Sequence, residues 1–517
     1  MGKSYLVGVD AGVSFVKAGV YDVDGNSQGL VIKSAPGRYP QAGVFLQSAE
    51  ELLRIIQEAL KEAVERAGIP GNEVQAIGFS GAMGGAMGVD RHWQVAADWS
   101  IISDTRCYPY VTRMLNAQNR KILEQSGTNF PIMGPKILWW KKEFPEQYDR
   151  VARFMVLAGF VIGRLGALPI EEAFVDRTYL QFTGLADLRQ SAWSRDICRE
   201  FGIDVERLPR IVDSNTVVAR LGSEAAAACG LRPGTPLVAG AGDKPAGALG
   251  AGVVDPGVLI DESASFGALS LCVDKYVPDL GHRTLENLPS PVAGQYLPSF
   301  YLFGSGVTHA WFRDEFGGEE RRLASETGSS AFGLLDEKAA KVPAGCEGLL
   351  ALGLFGGRGY PSDPDIKGLW IGHSWVHKKE HFYRALLESF AYEYGSVLGV
   401  MKENYPELAF DEIRVTGGGS RSDLWNQLKA DVLGVPYARL SREDHALLGD
   451  ILLAGNAVGL FPDLKAAARR HTKVTRRYLP DMEKHQLYRG YLQLYQSLFD
   501  RTRGIFEDLK RLSQGAD

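Results

Sequence analysis

The sequence predicts an α/β protein of two domains, and three observations carry that prediction. The chain has 517 residues, too long for one ordinary hydrophobic core. Its opening strand–turn–strand unit, LVGVDAGVSFVKAGVYDVDGN from Leu6 to Asn26, returns in outline as VLIDESASFGALSLCV from Val258 to Val273. Short apolar runs elsewhere end in glycine and feed helical spacing, as in IRVTGGGSRSDLW, the pattern of strands alternating with helices.

In chain order, Tyr5 to Val9 and Val16 to Asp22 read as strands rich in Val and Tyr, with a turn at Asp10-Ala11-Gly12 and a hairpin turn at Asp24-Gly25-Asn26. Gln47 to Ala67 has helical spacing, with Leu52, Leu53, Ile56, Leu60 and Val64 on one face. Gln75 to Ser80 is a buried strand ahead of the glycine-rich GAMGGAMG. Lys136 to Lys142 is a short helix with two tryptophans, and the apolar run Phe154 to Gly163 reads as a core helix. Pro236 to Ala241 is a strand and Lys244 to Gly252 a small-residue helix. The domain boundary is expected at Asp255-Pro256-Gly257, giving domains 1–255 and 256–517. Beyond it follow a helix over Glu380 to Lys402, a strand over Ile413 to Thr416, a helix over Ser422 to Leu433 and an amphipathic tail from Tyr488 to Leu512, expected to pack on its own domain through Leu492, Tyr495, Leu498 and Phe499.

Composition excludes several classes. Net charge is -5, from 57 basic and 62 acidic residues, which gives no electrostatic reason to expect nucleic acid or an anionic membrane as partner. The five cysteines are scattered with no C-x-x-C, as expected of reduced thiols in a cytoplasmic protein. Asp10 and Lys17 interrupt the first apolar stretch, so no signal peptide is expected, and Leu6 breaks a myristoylation motif after Met1-Gly2. The run Phe154 to Gly163 is too short to span a bilayer. A homodimer is among the expected assemblies.

Four stretches carry chemistry. A carboxylate at Asp10 beside Gly12 suits a turn whose N–H groups face an anion, with a cation making the carboxylate tolerable and Lys17 adding charge; a solvated Asx turn is the plainer alternative. Asp243 lies between a strand and a helix, where it fits both a helix N-cap and a general base. The glycines of VTGGGSRSDLW can bring backbone amides against a nucleotide, or simply form a tight turn; the stretch is neither a P-loop nor a dinucleotide fingerprint. Asp104 and Arg106 in SIISDTRC, two apart on an extended segment, can hold a polyhydroxylated ligand or form a surface ion pair. His373, His377 and His381 repeat every four residues without an H-E-x-x-H motif, and solvated positions at a helix start fit them better than zinc.

The order of these stretches resembles the FGGY family of carbohydrate kinases along nearly the whole chain. DAGVSFVK is similar to the family's first phosphate loop, GFSGAMGGAMGVD followed by SDTR to its sugar-side segment, and KILWW to a K-φ-x-W-φ signature. VAGAGDKPAGALGAG resembles the segment bearing the catalytic aspartate, and GGRGYP resembles G-E-R-x-P. KGLWIGHS with YRALLESFAYE resembles the second signature, and TGGGSRSDLWNQLKADVLGVP the adenosine motif.

The resemblance implies an actin-like ATPase fold: two ribonuclease H-like domains with ATP and sugar in the cleft between them. It implies ATP and Mg²⁺ as cofactors and a small sugar or polyol as partner. Asp243 is then the catalytic base, and Asp10 and Asp243 hold the metal through water. Met83, Gly84, Asp104, Arg106 and Asp243 face the sugar. Gly12, Val13, Ser14, Lys17, Ser263, Ala264, Ser265, Gly306, Gly417, Gly418 and Gly419 face the nucleotide. The sequence departs from the family where Val13 stands for Thr, where Ser263-Ala264-Ser265 stands for G-T-S or G-T-T, where Ala82-Met83-Gly84 stands for Gln-Met-His, and where Ile102 stands for Trp. The expected substrate is therefore a ketose or polyol other than D-xylulose. A catalytically weak sugar- or nucleotide-binding regulator on the same scaffold is the alternative.

Overall fold

A computed structural model describes residues 4–359 and 361–514. Met1 and Gly2 of the N-terminal motif and Tyr360 of GGRGYP lie outside the described residues.

The first half builds a sheet from β1 (Tyr5–Ala11), β2 (Phe15–Asp22), β3 (Ser27–Ser34), β4 (Val74–Gly81), β5 (Val217–Arg220), β6 (Pro236–Val238) and β7 (Ala241–Gly242). The order is β5-β6-β4-β1-β2-β3, with β7 also paired to β4. The second half builds a sheet from β8 (Val258–Glu262), β9 (Gly267–Leu271), β10 (Glu286–Pro289), β11 (Tyr296–Leu302), β12 (Glu412–Thr416), β13 (Tyr437–Leu440) and β14 (Val474–Tyr478), in the order β10-β11-β9-β8-β12-β13-β14. The two sheets share one plan. In each, an antiparallel meander (β1-β2-β3; β8-β9-β11) is extended on the far side of its first strand by parallel strands (β4 and β6; β12 and β13). The repeated strand–turn–strand motif of the sequence is the start of each meander.

Helix α1 (Ala49–Ala67) starts where Ser48 accepts a hydrogen bond from the Glu51 N–H, and it turns Leu52, Ile56, Leu60 and Val64 onto β2 and β3. Further helices are α2 (Met133–Glu143), α3 (Asp243–Gly250), α4 (Ser305–Phe316), α5 (Lys379–Asn404), α6 (Asp423–Leu433), α7 (His445–Ala457) and α8 (Met482–Gln514). The tail helix α8 packs on α5 and α6 of its own half as its spacing predicts, burying Tyr495, Leu498 and Phe499 with Leu492 half-buried; Tyr488 is buried as well.

Helix α7 comes from the second half yet lies on the first sheet. Leu447, Leu448, Ile451, Leu452 and Leu453 share a buried cluster with Leu6, Tyr21 and Ala76 of that sheet and with Ala246 and Leu249 of α3. Each such leucine or isoleucine gains about 1.5–3 kcal/mol from burial before entropy is counted. The approach is close enough to require glycine: a Cβ at Gly78 would sit 2.1 Å from the Asp450 carbonyl, and one at Gly449 would sit 2.1 Å from the Ala246 carbonyl. The close packing of α7 on α3, β1 and β4 therefore holds the two halves together.

Several elements differ from expectation. The run Phe154 to Gly163 splits into a strand, Arg153–Met155, paired with Gly85–Val89, and a helix, Leu157–Leu165. An all-apolar run carries no periodicity to separate the two. Pro236 to Ala241 is interrupted at Ala239-Gly240, so β6 and β7 are separate. His381 is buried in the first turn of α5, where its ring accepts from the Lys378 N–H, rather than solvated; His377 is half-buried, its ring accepting from the Ser374 N–H (2.8 Å), and His373 is exposed. Among the described residues no helix is long and apolar enough to cross a membrane.

Candidate active site

Strand β1 continues through Asp10, which pairs with Lys17 on β2 and with Ser80 on β4. The chain turns at Gly12, whose N–H donates to the Phe15 carbonyl (3.1 Å). The Lys17 ammonium reaches Asp10 Oδ2 at 3.1 Å. The other oxygen, Oδ1, is buried without a hydrogen-bond partner, which is costly unless a cation or its water shell completes it. That orphan fits Mg²⁺ held near Asp10.

Asp243 is the first residue of α3. Gly242 takes the N-cap position that Asp243 fits by sequence, because the Asp243 carboxylate bends back to accept the Lys244 N–H (2.8 Å). The strand end before it is pinned from several sides. The Gly242 N–H donates to Thr178 Oγ1 (2.8 Å), which is itself hydrogen-bonded to the buried Asp176 carboxylate. The Tyr179 hydroxyl donates to the carbonyls of Gly81 (3.3 Å) and Ala241 (3.1 Å). Burial, reinforced by the carboxylates of Asp10 and Glu262, pushes the Asp243 carboxyl up to about 7, against the opposing charge of Lys244.

A cleft of about 250 Å³ joins these residues across the two sheets. Its first wall carries Asp10, Lys17, Asp243 and Lys244. The opposite wall carries Glu262, Ala264, Thr416 and Gly417, and the segment Glu443 to Leu447 at the start of α7 closes one end. Lys244, Glu262, Thr416 and the Glu443–Leu447 segment are absent from the residues singled out by sequence. Only their place at strand and helix ends beside recognised motifs could have marked them.

The glycine turn after β12 rests on the loop after β8. Gly417 has φ +77, and a Cβ there would meet the Ser263 carbonyl at 2.7 Å. The Gly419 N–H donates to that same carbonyl (2.9 Å). Gly306, at the start of α4, lies against Ala264, whose carbonyl a Cβ would approach to 2.4 Å. Gly418 faces open space. Ser14 and Ser265 are exposed, whereas the Ser263 hydroxyl turns inward, donating to Asp261 and accepting from the buried Lys429 ammonium (2.7 Å). Val13 is packed against the first core, and its carbonyl accepts from Gln47 Nε2 (2.9 Å).

The sugar-side residues are split. Met83 touches Gly242, whose added Cβ would lie 2.5 Å from its sulfur, and Gly84 adjoins Ile102 and Ile132. Asp104 and Arg106 lie on a 3₁₀ turn, not an extended segment, and hold each other in a two-pronged pair (2.8 and 2.6 Å). Asp104 is 1% exposed, and Ser100 donates to it as well (2.9 Å). Burial raises the Asp104 carboxyl, but the hydrogen bonds from Arg106 and Ser100 and the Lys136 charge outweigh it and hold the group below the ordinary carboxylate value. Arg106 lies over Trp139 and lines a separate cavity of about 550 Å³ with Trp99 and Asp98. Asp98, Trp99 and Trp139 also lie outside the residues singled out by sequence.

Two sheets of one plan, with a cleft between their first strands and glycine turns at its edge, form a two-domain actin-like ATPase fold. The chain belongs to the FGGY family of carbohydrate kinases: the family's N-terminal domain model matches residues 5–250 and its C-terminal domain model residues 288–458. It is similar to an autoinducer-2 kinase of Enterobacter sp. (strain 638), at 26% identity over 98% of this chain and 96% of that one. It is also similar to a xylulose kinase of Bacillus subtilis (strain 168), at 27% identity over 98% of this chain and 99% of that one. In fold it matches a ligand-bound xylulose kinase from Lactobacillus acidophilus, with a TM-score of 0.89 and 21% identity, covering 98% of this chain and all of that one. Members of the family phosphorylate sugars or polyols with ATP.

Proposed function

We propose that the protein transfers the terminal phosphoryl group of ATP to a hydroxyl of a small ketose or alditol other than D-xylulose, with Asp243 as the general base. The observation that carries this reading is the Asp243 carboxyl itself. It stands at a strand-to-helix junction in the cleft, faces Asp10, and has an affinity for protons tuned to about 7. Asp243 accepts the proton as the acceptor oxygen bonds to phosphorus and the bond to the bridging oxygen of ADP breaks. Asp10, with its unpartnered oxygen, and Asp243 would hold Mg²⁺, which would supply neutralisation of the phosphate charge.

The acceptor class follows from the wall beside the base. Met83, Gly84 and Ile102 offer no hydrogen-bond donor side chain, and Asp104 is already satisfied by Arg106 and Ser100. That wall therefore supplies few side-chain donors, and an acceptor held as D-xylulose is by a Gln-Met-His wall is disfavoured there. ADP release measured over tetritols, pentuloses, hexuloses and glycerol tests the reading. Turnover of at least one, faster than of D-xylulose, is expected. Bound ATP with no turnover of any acceptor contradicts it.

That outcome would favour the second reading, a weakly catalytic binding protein. Its supporting observation is the scarcity of hydroxyls at the phosphate loops: Val13 and Ala264 have none and Ser263 turns its own inward. It predicts stabilisation by nucleotide or sugar with no difference in rate between wild type and Asp243→Asn.

A further inference from the structure

The cleft is rich in carboxylates and short of donors. Asp10, Asp243 and Glu262 line it, with Glu443 and Asp444 at its end. An incoming triphosphate needs positive charge there, and only Lys17 and Lys244 among the lining residues supply a full one. Lys17 is committed to Asp10 on its own sheet. Lys244 differs. It follows Asp243 directly in the first turn of α3, yet its ammonium crosses the cleft to Glu262 Oε2 at the end of β8, 2.9 Å away. It also sits over the Tyr301 ring at 5.3 Å. Both ends of this ion pair remain partly open to solvent, at 29% and 22% of their side-chain surface. Lysine is a compact charge on a flexible stem, able to exchange one oxygen partner for another nearby.

We propose that Lys244 is a phosphate-binding residue, which leaves Glu262 for the terminal phosphate of the nucleotide and makes good the hydroxyl donors missing at Val13 and Ala264. The inference rests on the kinase reading and deepens it. Glu262 serves as the resting partner of the ammonium while the cleft is empty, and its ion pair links the two walls. Because the contact is to the terminal phosphate, Lys244 discriminates ATP from ADP.

The test is calorimetric titration of the full chain with Mg-ATP and with Mg-ADP, for wild type, Lys244→Gln, Lys244→Arg and Glu262→Gln. Loss of a charge-assisted hydrogen bond weakens ATP binding by about ten- to a hundredfold in Lys244→Gln, while ADP affinity stays within about threefold. Lys244→Arg keeps most of the preference for ATP. Glu262→Gln, which frees the ammonium, keeps or increases it. Equal weakening of both nucleotides in Lys244→Gln, or the same loss in Glu262→Gln, overturns the inference and makes the pair a structural strap between the walls. Should Lys244→Gln fail to fold, the Arg and Glu262→Gln variants still decide, since loss of ATP preference in Glu262→Gln contradicts the proposal. Wild-type protein that binds neither nucleotide defeats the kinase reading itself, an outcome distinct from all of these.

Discussion

Replacing Asp243 by Asn should stabilise the fold, and by an amount that depends on pH. Burial and the carboxylates of Asp10 and Glu262 move this carboxyl from 3.8 to about 7. The folded protein thus keeps the proton until about pH 7, whereas the unfolded chain releases it near 3.8. Between those values the unfolded state binds fewer protons, so wild-type stability falls as pH rises. The shift is roughly three units at about 1.36 kcal/mol each, or about 4 kcal/mol above pH 7; residual solvent contact in the cleft brings the expected figure to about 2–4 kcal/mol. Asn has no such titration and can still accept the Lys244 N–H. The melting temperatures of the two proteins should therefore nearly coincide at about pH 4, then diverge through about pH 7, with the variant a few degrees higher at pH 8. A difference that stays flat from pH 4 to 8, or a variant less stable at pH 8, refutes the claim that burial strains the ionised base.

Other perturbations separate buried from exposed charge. Lys429 and Asp261 form an ion pair with no side-chain exposure, so Lys429→Met strands a buried carboxylate and costs about 3–5 kcal/mol, read from the denaturant midpoint. Arg421→Ala breaks only the exposed pair with Glu443 and costs under about 1 kcal/mol in the same assay. Asp450 is buried, its carboxyl raised well above the ordinary value by burial, then by the Asp10 charge, and it accepts from Ser80 Oγ (3.0 Å). Because burial disfavours its charged form, Asp450→Asn should change stability by no more than about 1 kcal/mol; a loss several times larger in thermal melts would show that its charge is needed.

Much of this architecture is legible in the sequence because the motif and the fold coincide. The strand–turn–strand unit that appears at Leu6 and again at Val258 is the meander of each sheet. Asp10, Lys17, Asp243, Ala264 and Gly417, read from separate stretches, meet in one cleft. What the sequence hid has physical reasons. The position of α7 on the first sheet depends on glycine contacts between distant segments, such as Gly78 against Asp450, and no local pattern records them. The Lys244–Glu262 pair joins residues from two walls. The inward turn of Ser263 depends on Lys429, far along the chain, so its hydroxyl cannot be placed from the loop alone. Asp104 and Arg106 satisfy each other across a turn that sequence spacing reads as extended.

The central claim is that the Asp243 carboxylate takes the acceptor's proton, and one measurement meets it directly: single-turnover transfer of labelled terminal phosphate from ATP to the best acceptor, in wild type and Asp243→Asn at equal occupancy. Loss of a positioned base predicts transfer slower by about 10²–10⁴-fold with nucleotide still bound. Transfer at the wild-type rate in the variant would contradict the account.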